Sequence, residues 1–578
     1  MAKSKKIKGS IRSSQLVTTY GVGAMVAIGD ESYVIAGIDR WPDRDEDVLQ
    51  EPRLEAQLRV FGFRSPPARG DDAFDIPVRR FPEQHSCPSC NRLDSLNYFQ
   101  NPFGKSVCGF CDHEPSLVPS RFVVACQAGH LDEFPYFQWA HSERMHEGDK
   151  AKLKLRTRGE SSGLRDVIVE CSCGASRTME GAFRKKALRG VRRCQGRRPW
   201  LHKEASEDCE LTPEVIQRGA SNVWFSDTVS AISIPPWSDG AFRILDRHWK
   251  FLKKAKDEDT MREWVEDMAD ERHTVDDLVS AAMFRIRRDA GDPEAAADDV
   301  KSAEYEALMR GAPEKDRHDE FVCLPADDPG PQAGQYFTTI RKVTRLREVR
   351  VLRGFSRLYP PSGTDTDERE DTKGTTVLLD ADQVGWLPAI EVSGEGVFLE
   401  LGGDRLDEWE RREDVIKRVE RLESNAEGSF FDVVVSPRKV MIHTLAHALI
   451  DQWALECGYP AASLSERLYV NEKTAGILVY TATTDSAGSL GGVVSMTDDG
   501  RLSTSLIEAM RRSSWCSSDP LCIETATQGP DSLNLAACHA CALLPETSCE
   551  ERNLLLDRAL LIGTPGKPEL GFFSDLLD

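Results

Sequence analysis

A chain of 578 residues with 40% hydrophobic residues is long enough for several cores. Its formal net charge of −21 argues against a self-sufficient nucleic-acid binder, because phosphate contacts need clustered Lys and Arg. The basic residues 1–8 run into Gly9-Ser-Ile-Arg without an apolar signal segment, and no stretch of apolar residues is long enough to span a bilayer. The expectation is a cytoplasmic, multidomain α+β protein with no membrane partner. Its predicted regions are a β-rich N-terminal one (1–230), a mainly helical middle (231–430) and an α/β C-terminal one (431–578).

Residues 16–41 alternate β-branched and small residues around glycines, which predicts strands and turns. Two CxxC knuckles follow, Cys87/Cys90 and Cys108/Cys111, with 17 residues between them. That separation places four thiolates at the corners of a tetrahedron, which Zn²⁺ accepts because its filled d shell imposes no other geometry. A disulfide framework is the competing reading, but it belongs to small secreted domains. Gly104-Lys105-Ser106 ends like a phosphate-binding loop, yet Phe99 stands where its first glycine belongs, so the triplet is a coincidence. After a strand at 121–126, Cys171, Cys173, Cys194 and Cys209 are read as a second zinc site.

Around Cys194 the charge reverses. Residues 181–203 carry Arg184, Lys185, Lys186, Arg189, Arg192, Arg193, Arg197, Arg198 and Lys203 without one acidic residue. They form either a solvated face that balances the acidic bulk or a phosphate-contacting DNA strip on which Trp200 stacks a base. Residues 341–357 are also basic but include Glu348, so they point less specifically to DNA.

From residue 241 to about 310, apolar residues recur at three and four, which predicts amphipathic helices. Residues 360–373 are acidic and read as a loop. Residues 440–456 predict a buried helix whose His443 and His447 lie one turn apart. The glutamate base of HExxH is missing at Thr444, so these are read as core or capping histidines. The glycines from Gly488 to Gly492 lack the lysine and hydroxyl of a phosphate loop. The last cluster, Cys516, Cys522, Cys538, Cys541 and Cys549, offers five thiols for a four-coordinate ion, with Cys516 the surplus member. Cys126, Cys323 and Cys457 stand alone. No acyl-transfer elbow, kinase set or dinucleotide fingerprint is present, and no intrinsic catalytic motif is visible.

Several segments together carry a family resemblance. They are Ile11-Arg-Ser-Ser-Gln-Leu with Tyr20-Gly-Val-Gly-Ala, Cys126-Gln-Ala-Gly-His-Leu-Asp-Glu-Phe-Pro, Cys194-Gln-Gly-Arg-Arg-Pro-Trp and Leu346-Arg-Glu-Val-Arg. The chain resembles the DrmB family of the bacterial anti-phage system DISARM. Its end, from His443-Thr-Leu-Ala-His through Ala537-Cys-His-Ala-Cys to Cys549-Glu-Glu-Arg-Asn, resembles the cysteine-bearing domain that closes MrfA-type repair helicases.

The resemblance implies a partner role, with a DrmA-like superfamily-two helicase as the motor and DNA engaged through the complex. It also implies a metal held by Cys538, Cys541 and Cys549, for which Cys522 is the expected fourth ligand. About three zinc ions follow. The rival reading is a metal-dependent nuclease or protease that uses His443, His447 and a carboxylate such as Asp451 or Glu466.

Overall fold

The computed structural model describes residues 9–577 outside 42–47, 68–75, 102–104, 143–145, 147–150, 159–162, 202–205, 247, 270–272, 290–299, 316–318, 362–374, 381–383, 430, 432 and 482–490. The fold is mixed α+β, with several sheets. It divides into two compact units, each discontinuous in sequence. Unit one is Met1–Val48, Phe63–Val229 and Val351–Ile390, and unit two is Leu49–Gly62, Ser230–Arg350 and Glu391–Asp578. The chain passes from unit one to unit two between Val229 and Ser230, and Glu391–Asp578 lies within unit two.

Unit one is β-rich. A six-stranded antiparallel sheet runs in the order Ser176–Thr178, Val167–Cys171, Leu153–Thr157, Arg92–Ser95, Gln84–Ser86, Val118–Pro119. Val167, Ile168 and Val169 are β-branched and suit the pleated surface. A core of Phe122, Phe134, Trp139, Val169 and Leu188 lies beside it. The register places one metal donor, because Leu153 pairs with Cys171 and so fixes that cysteine at a strand end.

In unit two the helices Gly240–Asp246, Glu258–Val265 and Val275–Asp289 bury Phe242, Leu245, Met261, Val265 and Leu278 together, following the three-and-four spacing. The region expected to be mainly helical also contains strands Val322–Pro325, Phe337–Ser356 and Leu387–Leu401, the last two being 20 and 15 residues long. Thr, Val and Ile interleaved with Arg favour an extended chain there, and pairing with neighbouring strands outweighs the helical bias of the charged residues.

Helix Pro437–Cys457 is the spine of the C-terminal part. Ser436 caps it by accepting the Lys439 amide, Pro437 sits in the first turn, and Gly458 ends it at φ 71. Met441, Leu445, Leu449 and Trp453 are fully buried in the largest core. Beside it, strands Leu464–Val470 and Ala475–Thr481 form a hairpin. The Asn471 side chain holds the turn by accepting the amides of Lys473 and Thr474.

Candidate metal centres

Four thiols can approach one another as a disulfide, as a loose cluster, or as the corners of a metal tetrahedron. With Zn–S bonds of about 2.3 Å, a tetrahedral edge is about 3.8 Å, far from the roughly 2.05 Å of a disulfide. In the first group Cys87 and Cys111 are 3.8 Å apart at sulfur, as are Cys90 and Cys108. Cys87 and Cys90 share one tight turn. Asn91 at φ 60 donates its amide to the Cys87 carbonyl, and the Cys90 amide points at the Cys87 sulfur. Gly109 has no room for a side chain, since a Cβ would lie 2.2 Å from the Gln100 carbonyl oxygen. Ser106 donates to Glu31, so the Lys105-Ser106 pair belongs to this local framework; Gly104 lies outside the described residues.

The second cluster expected from sequence does not assemble. Cys171 and Cys173 meet His141 and His146, while Cys194 and Cys209 meet Cys126 and His130. Cys126, which looked solitary, lies 3.6 Å from Cys194 and 4.0 Å from Cys209 at sulfur. His130 Nδ1 is 3.3 Å from Cys126 and 3.6 Å from Cys194. The physical reason is strand pairing. Cys126 follows Phe122–Ala125, whose two neighbours in its sheet are Leu131–Glu133 and Glu214–Gln217, and this draws His130 and Cys209 to it. Cys171 ends a strand of a different sheet.

The outer nitrogens fix how the imidazoles face the sulfurs. His130 donates Nε2–H to Glu207 at 2.6 Å and so presents the Nδ1 lone pair inward. His141 donates Nδ1–H to the Phe137 carbonyl at 2.8 Å and presents Nε2, which is 3.2 Å from Cys173 and 3.3 Å from His146 Nδ1. Hydrogen bonding with Cys126, helped by His130 and the Gly196 amide, draws the Cys194 thiol down to about 4 against the effect of burial. The Ala175 amide is the largest influence lowering Cys173 to about 6.

Near the Cys126 group, Arg357 is fully buried and donates to the carbonyls of Gly129, Val223 and Gly23 at 2.6–2.9 Å. Burial lowers it to about 9, opposed by the neighbouring Cys126 sulfur, so it stays cationic at neutral pH. No motif around Arg357 pointed to this role.

The C-terminal quartet also differs from expectation. Cys516 and Cys522 both join Cys538 and Cys541, with sulfur separations of 3.5 Å (516–538) and 3.7 Å (522–541 and 538–541). Cys516 is therefore not surplus. Cys549 lies apart with His443, His447 and Glu466, because its neighbours bond to strand Leu464–Val470: the Ser548 carbonyl accepts the Glu466 amide and the Glu466 carboxylate accepts the Glu550 amide. Amides of Ser518 and Ala540 point at the sulfurs of Cys516 and Cys538. Among the carboxylates proposed to join the histidines, Glu466 does so and Asp451 pairs with Arg512. Among the described residues, Cys323 and Cys457 join no such group.

A family model described as the MrfA Zn-binding domain matches residues 445–542, a span that contains the whole Cys516 quartet and stops short of Cys549. Another, described as a domain of unknown function (DUF8724), matches residues 12–225, where the three N-terminal groups lie. Over 576 residues the chain is 34% identical to the DISARM protein DrmB of Bacillus paralicheniformis, covering 95% of this chain and 99% of the relative. The chain belongs to the DrmB family. The domain match and the donor sets together support zinc as the metal of this DrmB-family chain.

The basic segment is partly absorbed by the fold. Arg192 and Arg197 pair with Asp132 at 3.3 and 2.9 Å, and Arg198 pairs with Glu207 at 2.8 Å. Arg184, Lys185, Lys186, Arg189 and Arg193 are at the surface, and Lys185, Lys186 and Arg189 line one cleft. Lys203 lies outside the described residues. Trp200 is only 1% exposed, packed edge-on against Phe355 and under Arg357, so it is a core residue and no platform for a base. No described helix is long and apolar enough to cross a membrane.

Proposed function

We propose that this chain is a non-catalytic, cytoplasmic subunit of a DISARM anti-phage defence complex. In this reading it binds a DrmA-like superfamily-two helicase, supports that motor's DNA binding and sensing, and regulates its ATPase. The observation that carries the reading is similarity to the DISARM protein DrmB along almost the entire length of both chains. The metal groups agree with a scaffolding role: each thiol-bearing quartet supplies four protein donors, which leaves no position for an activated water. Zinc in the Cys87, Cys126, His141 and Cys516 groups then folds loops and holds surfaces in shape, four ions in place of the three expected from sequence. The surface cations of residues 184–193 supply the phosphate contact.

The test uses the full chain and its helicase partner. Alone, the chain should turn over no ATP; with the helicase it should co-purify and change the motor's ATPase or DNA affinity. ATP turnover by the isolated chain that survives substitution of Lys105, or failure to associate with the helicase, refutes the proposal. Arg184, Lys186, Arg189 and Arg193 changed together to Glu should weaken DNA binding by the complex irrespective of sequence, and lower its salt slope by roughly 0.9 for each phosphate no longer neutralised. Unchanged affinity and slope in an assembled complex place the DNA path elsewhere.

A further inference from the structure

Inside unit two, four metal-donor side chains meet that the Cys516 quartet does not use. His443 and His447 occupy successive turns on one face of helix Pro437–Cys457, with ring centroids 4.5 Å apart. Glu466 comes from strand Leu464–Val470, and Cys549 from the C-terminal segment. Their relative exposures are 0, 1, 2 and 8%. All four donor atoms lie within 4.8 Å of one another.

We propose that His443, His447, Glu466 and Cys549 form a further zinc site, closed and structural, distinct from the thiol quartet. Distances come first. His443 Nε2 is 3.1 Å from Glu466 Oε1 and 3.2 Å from the Cys549 sulfur, and His447 Nε2 is 3.6 Å from Glu466 Oε1. Zinc bonds of about 2.0 Å to N and O and about 2.3 Å to S give tetrahedral edges of about 3.3–3.6 Å, which these separations straddle.

Charge is the second argument. A carboxylate buried without compensation is costly. Zn²⁺ with one carboxylate, one thiolate and two neutral imidazoles sums to zero, so the loaded site buries no net charge. Donors left idle are the third. His447 Nε2 and Glu466 Oε2 are buried and form no hydrogen bond among the described residues, a loss that a metal bond at His447 removes.

The surrounding shell is built for ligation on three of the four sides. His447 donates Nδ1–H to the Ala542 carbonyl at 2.7 Å and so presents Nε2 to the site. Glu466 Oε1 accepts the Glu550 amide and the Cys549 sulfur accepts the Asn553 amide, both at 3.1 Å. His443 Nδ1 has no such partner among the described residues. With four buried protein donors, the ion clamps helix, strand and C-terminal segment together and activates no water.

The full-length protein, grown with zinc and purified without chelator, tests this by anomalous diffraction above and below the zinc edge. A peak at bonding distance from all four donor atoms is the expected result; no peak there, with peaks at the thiol quartets, overturns the proposal in favour of a metal-free histidine–carboxylate cluster. In parallel, the double variant His443→Ala/Cys549→Ala should carry one zinc fewer per chain than wild type. A folded double variant that keeps the full count also overturns it. Should that variant fail to fold, the wild-type anomalous map decides alone.

Discussion

The regrouping of the cysteines between 126 and 209 makes the sharpest prediction, because one site and two sites give different arithmetic. If Cys171, Cys173, Cys194 and Cys209 shared one ion, Cys171→Ser and Cys194→Ser would each remove the same zinc, and the double variant would lose no more than either single. In the observed arrangement they belong to different groups, so each single variant should lose one zinc per chain and the double variant two. Cys126→Ser should behave like Cys194→Ser. The energetic cost is set by chain length. Cys126 and Cys194 are 68 residues apart, and joining them through a metal restricts the unfolded ensemble by about 4 kcal/mol on a chain-entropy model. For a unit of roughly 250 residues that corresponds to a fall in Tm of about 10 °C on losing this ion. Metal analysis by mass spectrometry and calorimetry on the same samples read both quantities. A double variant that loses only one zinc refutes the two-site assignment.

Two further outcomes rest on buried charges. Arg357→Met should destabilise unit one by at least about 3 kcal/mol, because three carbonyls lose a buried donor together; a change below about 1 kcal/mol in denaturant unfolding would show that the guanidinium is dispensable. Glu51 is fully buried, and although burial alone would raise it, Arg53, the Ser233 hydroxyl and Arg347 hold it below its ordinary value of 4.5. A depressed carboxylate adds stability above its unfolded pKa and loses it as pH falls through the folded one. Wild type should therefore exceed Glu51→Gln by about 3 kcal/mol at neutral pH, and the gap should narrow below about pH 4.5. A gap independent of pH in paired urea titrations would show that Glu51 is not the titrating group.

What the sequence settled by itself is local. The two CxxC knuckles at Cys87 and Cys108 were legible because each is a tight turn that positions both of its thiols, and only one pairing of turns was needed. The buried helix expected over 440–456 was legible from apolar periodicity, and the structure extends it to Pro437–Cys457 between a Ser436 cap and Gly458. What only tertiary structure decided is which distant donors meet. Ligation needs donor atoms within about 4 Å of one another, and that proximity is set by strand pairing and helix packing over tens of residues. So Cys171 and Cys194, 23 positions apart in sequence, went to separate groups, and Cys549 left the last cluster for the helix histidines. Weak signals for the missed partners were present in Cys126-x3-His130 and His141-x4-His146. Histidine, unlike a paired cysteine, has many roles at similar spacing, and only the fold brings its ring nitrogen to a sulfur.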